Sequence, residues 1–119
     1  MSLITRFEDI QAWQEARKLV KMVYQLTCSG RLAKDFGLRD QIQRAAVSSM
    51  ANIAEGFKKR GTRDKANFYN VAQGSLEELR YYFLLSKDLG YLSTNDELME
   101  SADTIGRMLH GLVSSVRSE

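Results

Sequence analysis

The sequence predicts an all-α protein, an antiparallel up-down-up-down four-helix bundle that forms one domain over residues 1–119. In four segments, apolar residues recur at the alternating three- and four-residue spacing of a helical seam. The chain contains no proline, so no helix is interrupted by one. Short connections between long helices favour antiparallel neighbours. Two helical hairpins swapped between chains would show the same signals.

The first predicted helix covers about residues 8–28 and stops at Ser29-Gly30. A short connection over residues 30–37 leads to the second helix, at about residues 38–60, which has Gly61 as its C-terminal cap. Periodic apolar residues define the seam of the first helix: Ala12, Ala16, Leu19, Val23 and Leu26.

The third helix is predicted at about residues 63–89, with Thr62 as its N-cap, and it stops at Gly90. The fourth covers about residues 95–117 and opens with Thr94-Asn-Asp-Glu97, the pattern of a capping box. In such a box the first and last side chains each bond to a free amide at the other residue. We expect burial of one set of apolar side chains spread over the four helices: Leu19, Val23, Ile53, Leu79, Ile105 and Leu109.

Few residues in the chain carry chemistry. Cys28 is the only cysteine, which excludes an internal disulfide and a cysteine-based zinc site. His110 is the only histidine, and residue 107 is Arg instead of the Glu of a di-iron Glu-x-x-His motif. The adjacent Glu77 and Glu78 point about 100° apart on a helix. We therefore predict no catalytic residues, no metal, no cofactor and no enzymatic activity.

The apolar segments are too short for a membrane span. The longest uninterrupted run covers only residues 81–85. The first six residues lack the charged-then-apolar layout of a signal peptide. We expect a cytoplasmic protein without membrane association.

The second and third helices carry more apolar surface than one bundle core requires. Beside its main seam, the second helix has another, and residues 81–85 cover more than a full turn of the third. Such surplus apolar faces mark association surfaces. Scattered surface hydrophobes are the alternative interpretation. The predicted interface residues are Val47, Met50, Ala54, Phe57, Tyr81, Tyr82 and Leu85.

Small residues within the same helices predict close contact with another backbone. A glycine in a helix interior costs roughly 1 kcal/mol relative to alanine, and a helix tolerates this where a second helix packs closely. The set comprises Ala45, Ala46, Ser49, Gly56, Gly74 and Ser75.

A basic cluster surrounds the turn between the second and third helices. A turn lets its side chains fan out, and the amides at the start of the third helix also favour an anion. Residues 38–65 carry seven basic and three acidic side chains, whereas residues 91–119 carry two basic and five acidic ones. The cluster is a candidate contact for the phosphate backbone of RNA or DNA, although basic turns are often only solvated. Its members are Lys58, Lys59, Arg60, Arg63 and Lys65.

Four motifs resemble a known family. They are Phe7-Glu8-Asp9-Ile10 followed by Trp13, the run Asn52-Ile-Ala-Glu-Gly-Phe57, the run Ala72-Gln-Gly-Ser-Leu-Glu-Glu-Leu79, and Asp88-Leu-Gly-Tyr91. Together they are similar to the bacterial four-helix bundle proteins encoded within intervening sequences of large-subunit ribosomal RNA genes. The accessory variability determinant of diversity-generating retroelements belongs to the same broad group. The similarity covers roughly residues 7–110.

The resemblance implies an antiparallel four-helix bundle that assembles as a homopentamer, whereas periodicity alone equally allows a dimer. No enzymatic activity is established for the family. In the retroelement relatives, a basic surface is associated with nucleic acid and with a partner reverse transcriptase. Where many members have Ile-Pro-Ser, this chain has Ser49-Met-Ala51, which predicts a straighter second helix.

The sequence allows two functional hypotheses. The first is a homo-oligomeric nucleic-acid-binding accessory factor that acts through the basic turn. The second is an oligomeric scaffold that binds another protein, with the basic residues merely solvated.

Overall fold

The computed structural model describes residues 3–118. A 3-10 turn, Phe7–Asp9, precedes five α-helices, and no strand occurs among the described residues. Of the predicted domain, residues 1, 2 and 119 lie outside the described residues. The helices in chain order are α1 (Gln11–Thr27), α2 (Gly30–Lys34), α3 (Phe36–Lys58), α4 (Thr62–Asp88) and α5 (Asp96–Arg117).

The four long helices pack against one another in chain order, and α5 closes the bundle against α1. The molecule measures 46 × 22 × 20 Å, so the helices lie along its long axis. The predicted all-α helical bundle is confirmed. Because consecutive long helices run in opposite directions, the turn between α3 and α4 lies at the same end as the start of α1. The helix α2 and the connection between α4 and α5 lie at the other end.

The apolar seams meet in one core. Every residue of the predicted buried set is completely inaccessible to solvent: Leu19, Val23, Ile53, Leu79, Ile105 and Leu109. Phe83 is the largest side chain among the fully buried residues. The three-four periodicity therefore identified the inward face of each long helix correctly.

The first helix begins later than predicted. Ile10 has an extended backbone, with φ −74° and ψ 122°, which separates the 3-10 turn from α1. The Ile10 amide donates to the Phe7 carbonyl at 3.0 Å, and its own carbonyl accepts from Gln14. Its side chain is buried, at 4% exposure, so the extended residue packs an apolar side chain into the core at this end of the bundle.

The predicted cap at Gly61 is wrong. Helix α3 ends at Lys58, and Lys59 takes an extended conformation that turns the chain at once, so no left-handed residue is needed there. Gly61 has φ −83° and is the N-cap of α4, which makes Thr62 the first residue of that helix and not its cap. Left-handed glycines occur instead at Gly30 and Gly90, with φ of 74° and 77°.

The predicted capping box at the start of α5 does not form. Asn95 is the N-cap. Its buried side-chain Nδ2 donates to the Phe83 carbonyl at 3.4 Å, and this bond links the connection between α4 and α5 to α4. Thr94 Oγ1 accepts from the Asp96 amide at 3.3 Å. A local turn therefore replaces the reciprocal pair of bonds with Glu97.

The connection before α3 is more ordered than predicted. Residues 30–34 form the short helix α2, and α3 begins at Phe36 instead of near residue 38. Asp35 explains the earlier start, because its Oδ1 accepts from the Leu38 amide at 3.2 Å as an N-cap. Its Oδ2 accepts from the hydroxyl of Tyr91 at 2.9 Å, which ties this corner to the end of α4.

Helices α3 and α4 pack tightly at Gly56, which is buried. A Cβ atom at this position would lie 2.7 Å from Cε1 of Tyr69 and 3.1 Å from Cβ of Phe68. The prediction that small residues permit close packing is correct here. Gly74 is exposed and has open space around it within this chain, so for this residue close contact with another backbone stays a prediction.

We expect Gly56→Ala to lower the free energy of unfolding by about 1–3 kcal/mol, because its methyl group would overlap the buried ring of Tyr69. Gly111→Ala is the matched control, since Gly111 is exposed in α5 with nothing within 4 Å of a Cβ. This control should instead raise the stability by up to about 1 kcal/mol. Urea unfolding of both variants measures the difference, and equal stabilities would contradict the close approach.

Candidate nucleic-acid interface

The basic turn lies at the end of the bundle where α3 passes into α4. Three of its five predicted cations are exposed, namely Lys58, Arg60 and Arg63. None of the three forms an ion pair with an acidic side chain within residues 3–118. These side chains are therefore available to an external anion.

Lys65 points back into the protein. Its Nζ donates to the Phe57 carbonyl at 2.7 Å and lies 3.4 Å from the Gly56 carbonyl. It also lies 5.3 Å from the centroid of the Phe57 ring. The last carbonyls of a helix have no partner within the helix, so Lys65 caps α3 from the first turn of α4. It contributes positive charge to the turn, while two of its three N–H donors are already engaged.

Lys59 is half-buried against an aromatic ring. Its Nζ lies 4.9 Å from the centroid of Phe68, on the first half of α4. This contact holds the lysine stem against the hairpin formed by α3 and α4. The turn is thus built from two cations that stabilise it and three that extend from it.

The start of α4 adds hydrogen-bond donors to the same surface. Gly61, the N-cap, has no side chain to bond to the first amides of the helix. Those amides can therefore donate hydrogen bonds to water or to an anion. Asp64 is the one acidic side chain in the first turn of α4, and it sits beside Arg63.

The exposed apolar surface of the bundle is concentrated on α4. Val71, Tyr81, Leu85 and Leu89 are each between 43% and 53% exposed. Val71 and Leu85 are two heptads apart, so they share the outward face of the helix with the intervening Glu78. Tyr81 and Leu85 are among the interface residues that the sequence predicts, whereas Val71 and Leu89 are not, although their spacing was a usable signal.

The second seam of α3 is mostly covered within the chain. Met50 and Phe57 pack against the core, and Ala54 is half-buried. Val47 is 37% exposed and lies beside Tyr24 of α1. The interface role of these residues stays a prediction. The α4 stripe, namely Val71, Tyr81, Leu85 and Leu89 with Glu78 between them, is exposed.

Tyr82 differs from its neighbour Tyr81 in being packed against the core. Its hydroxyl donates to Oε2 of Glu78 at 3.1 Å. Burial, together with this hydrogen bond, raises the pKa of Tyr82 to about 12. The phenol therefore remains protonated, and it holds Glu78 in place within the α4 stripe.

Glu77 and Glu78 have different partners. Arg80 donates to both carboxylate oxygens of Glu77, at 2.9 and 3.1 Å, and its Nε lies 2.9 Å from Asp103 of α5. The hydrogen bond to Glu77 is the main cause that raises the pKa of Arg80. The two glutamates diverge as the sequence indicated.

The described residues do not meet the requirements of a metal site or of a membrane-spanning helix. No group of three or more His, Cys, Asp or Glu side chains lies close enough there to hold a metal ion. His110 borders an open groove between α4 and α5 with Arg80 and Arg107. Among the described helices, none combines the length and the apolar character that crossing a bilayer requires.

The comparison with protein families decides the classification. The family described as 23S rRNA-intervening sequence protein matches residues 8–111. The chain belongs to this family. The family resemblance seen in the sequence motifs is thereby confirmed, while the relation to the retroelement protein remains a resemblance. No functionally curated protein matches the chain significantly.

A solved structure has the same fold as this 23S rRNA-intervening sequence protein. It is a protein of unknown function from the S23 ribosomal protein family of Bacteroides thetaiotaomicron, with a TM-score of 0.80 and 19% sequence identity. The alignment covers 87% of this chain and 95% of the other. At this identity the similarity supports the bundle architecture and nothing more specific.

We expect Lys65→Met to lower the free energy of unfolding by about 1–2 kcal/mol, because the α3 carbonyls lose a charged donor. Lys58→Met, in the same cluster but exposed, should change it by no more than about 0.5 kcal/mol. Thermal or urea unfolding measures both variants. Equal effects would mean that Lys65 is not a cap.

Proposed function

We propose that this protein is a homo-oligomeric, non-enzymatic factor that binds nucleic acid through the turn between α3 and α4. The observation that carries the proposal is the exposure of Lys58, Arg60 and Arg63 around an uncapped helix N-terminus. Unpaired cations and free amides bind phosphate oxygens without reading base sequence. The family description names an intervening sequence of 23S rRNA, which makes structured RNA the first ligand to test.

Binding by one copy would be weak, because three exposed cations make few phosphate contacts. A closed oligomer repeats the turn once per subunit. Since the turn lies at one end of an elongated bundle, copies related by an axis along the bundle would carry their turns on a single rim. The family resemblance implies five copies. Affinity should then be high at low salt and fall steeply as salt is added.

The α4 stripe supports self-association. Four large apolar side chains on one side of α4 and at its C-cap are about half exposed, and exposed apolar residues grouped in this way mark association surfaces. Gly74, which lies within the stripe and has no neighbour in its own chain, would let a second backbone approach. A heterologous protein partner, such as the reverse transcriptase that the resemblance implies, would use the same surface and is the alternative outcome.

The charge distribution also supports phosphate binding at this end. The first turns of α5, with Asp96 and Glu97, lie at the opposite end of the bundle from the basic turn. Their negative charge would repel phosphates there and leave the basic end as the attractive one.

We expect Leu85→Glu to dissociate the oligomer, because it would bury a carboxylate in an apolar interface. Leu84→Glu is the matched control, since Leu84 is similarly exposed but points about 100° away, towards the groove with α5. Light scattering should give a mass of several subunits for the wild type and for Leu84→Glu, and 13.6 kDa for Leu85→Glu. A wild-type mass of 13.6 kDa at micromolar concentration contradicts self-association.

We expect the double variant Arg60→Gln with Arg63→Gln to bind nucleic acid more weakly. On duplex DNA the slope of log K against log salt should become shallower by about 1.8 per bound subunit, because two phosphate contacts are lost. The control is Lys34→Gln with Lys87→Gln, which removes two exposed cations at the opposite end. Fluorescence anisotropy with duplex RNA, duplex DNA and single strands measures both variants and identifies the preferred ligand.

The outcomes separate the two functional hypotheses. If nucleic-acid binding weakens in the Arg60, Arg63 variant and not in the Lys34, Lys87 variant, the nucleic-acid function is supported. A wild-type oligomer that binds none of the probes at low salt contradicts it and leaves the α4 stripe as a surface for a protein partner.

A further inference from the structure

The outward face of α1 carries a second row of cations. Arg17, Lys18 and Lys21 are all exposed. Glu15, the only acidic residue of α1, pairs with Lys18 at 3.1 Å. Neither Arg17 nor Lys21 forms an ion pair within the described part of the chain.

This row lies along a shallow groove next to Trp13. The Cζ atom of Arg17 lies 5.7 Å from the centroid of the Trp13 ring, which supports the guanidinium at the surface. Lys21 follows Arg17 by one helical turn, about 6 Å along the axis. Glu8 of the 3-10 turn borders the same groove.

The groove is electrostatically continuous with the basic turn. The 3-10 turn packs against α3. A hydrogen bond from its own backbone is the main cause that lowers the pKa of Glu8, the side chain of Arg6 at 2.8 Å adds to this, and attraction to Lys58 contributes. Glu8 therefore stays ionised, paired with Arg6 and near enough to Lys58 to be attracted by it. Around it, the surface carries more cations than carboxylates: Arg6, Arg17, Lys18, Lys21 and Lys58 against Glu8, Asp9 and Glu15.

We propose that the α1 face, with Arg17 and Lys21 at its centre, is a second contact for the phosphate backbone of a nucleic-acid duplex, joined through Lys58 to the basic turn. The inference rests on the proposed function and extends its site along the side of the bundle. The expected contacts are to phosphate, because exposed cations in a row along a helix bind the charged backbone of the duplex and do not contact specific base edges.

Self-association through α4 leaves this face open. Helix α1 packs against α3 and α5, so its outward surface points away from the α4 stripe. Each subunit of an oligomer would thus offer a basic turn and an adjoining basic side. A duplex longer than the turn itself would contact both.

The test is a salt titration of the Arg17→Gln, Lys21→Gln double variant with a mixed-sequence DNA duplex. The slope of log K against log salt should become shallower by about 1.8 per bound subunit, the same change as for the turn variant. The Lys34→Gln, Lys87→Gln variant should keep the wild-type slope. Arg17→Lys with Lys21→Arg keeps both charges while removing the guanidinium from Trp13, and it should also bind like the wild type.

A charge-gain variant tests the continuity of the surface. Glu8→Gln removes the carboxylate between Lys58 and the α1 row and frees Arg6, so it should tighten binding and steepen the slope by up to about 0.9 per bound subunit.

The failures are distinguishable. If the α1 double variant keeps the wild-type affinity and slope while the Arg60, Arg63 variant loses both, the α1 contact is wrong and the proposed function stands. If the charge-conserving variant loses binding as well, the α1 residues act through the fold and the inference is overturned. If the wild type binds no duplex at low salt, both proposals fail.

Discussion

The close packing of α3 on α4 is the constraint on which the rest of the molecule depends. Gly56 lets the buried ring of Tyr69 occupy the space where a Cβ would lie. Farther along the same interface, the hydroxyls of Ser48 and Ser75 are hydrogen-bonded at 2.8 Å, and Asn52 donates to the Ser48 carbonyl. The Ser48–Ser75 bond crosses the interface and the Asn52 bond lies within α3, so small polar side chains line the surface along which the two helices pack. This packing fixes where the hairpin turn lies.

The turn itself shows how a charged segment can be both ordered and available. Lys65 neutralises the carbonyl end of α3, and Lys59 lies against Phe68, so the backbone between them has little freedom. Arg60 and Arg63 are carried on that rigid frame and have no acidic partner among residues 3–118. A backbone held in this way loses less conformational entropy than a mobile one when its exposed cations meet a phosphate.

The surfaces of the bundle have separate chemical characters. The outward face of α4 carries the apolar stripe, the end with the turn and the adjoining side of α1 are basic, and the start of α5 is acidic. An antiparallel bundle makes this separation possible, because each long helix presents only one outward strip. Association and phosphate binding can therefore occupy different faces of the same small chain without competing.

The sequence by itself determined the helices and their inward faces, because burying one side of a helix requires only a periodic set of apolar residues. Leu19, Leu79 and Leu109 are buried for this reason. The cationic turn could also be predicted from the sequence. Only the tertiary structure decided which of its cations are free, since the partners of Lys65 belong to a different helix. It also decided that the open apolar stripe lies on α4. The 3-10 turn and α1 pack against α3, and no periodicity within α3 specifies that contact.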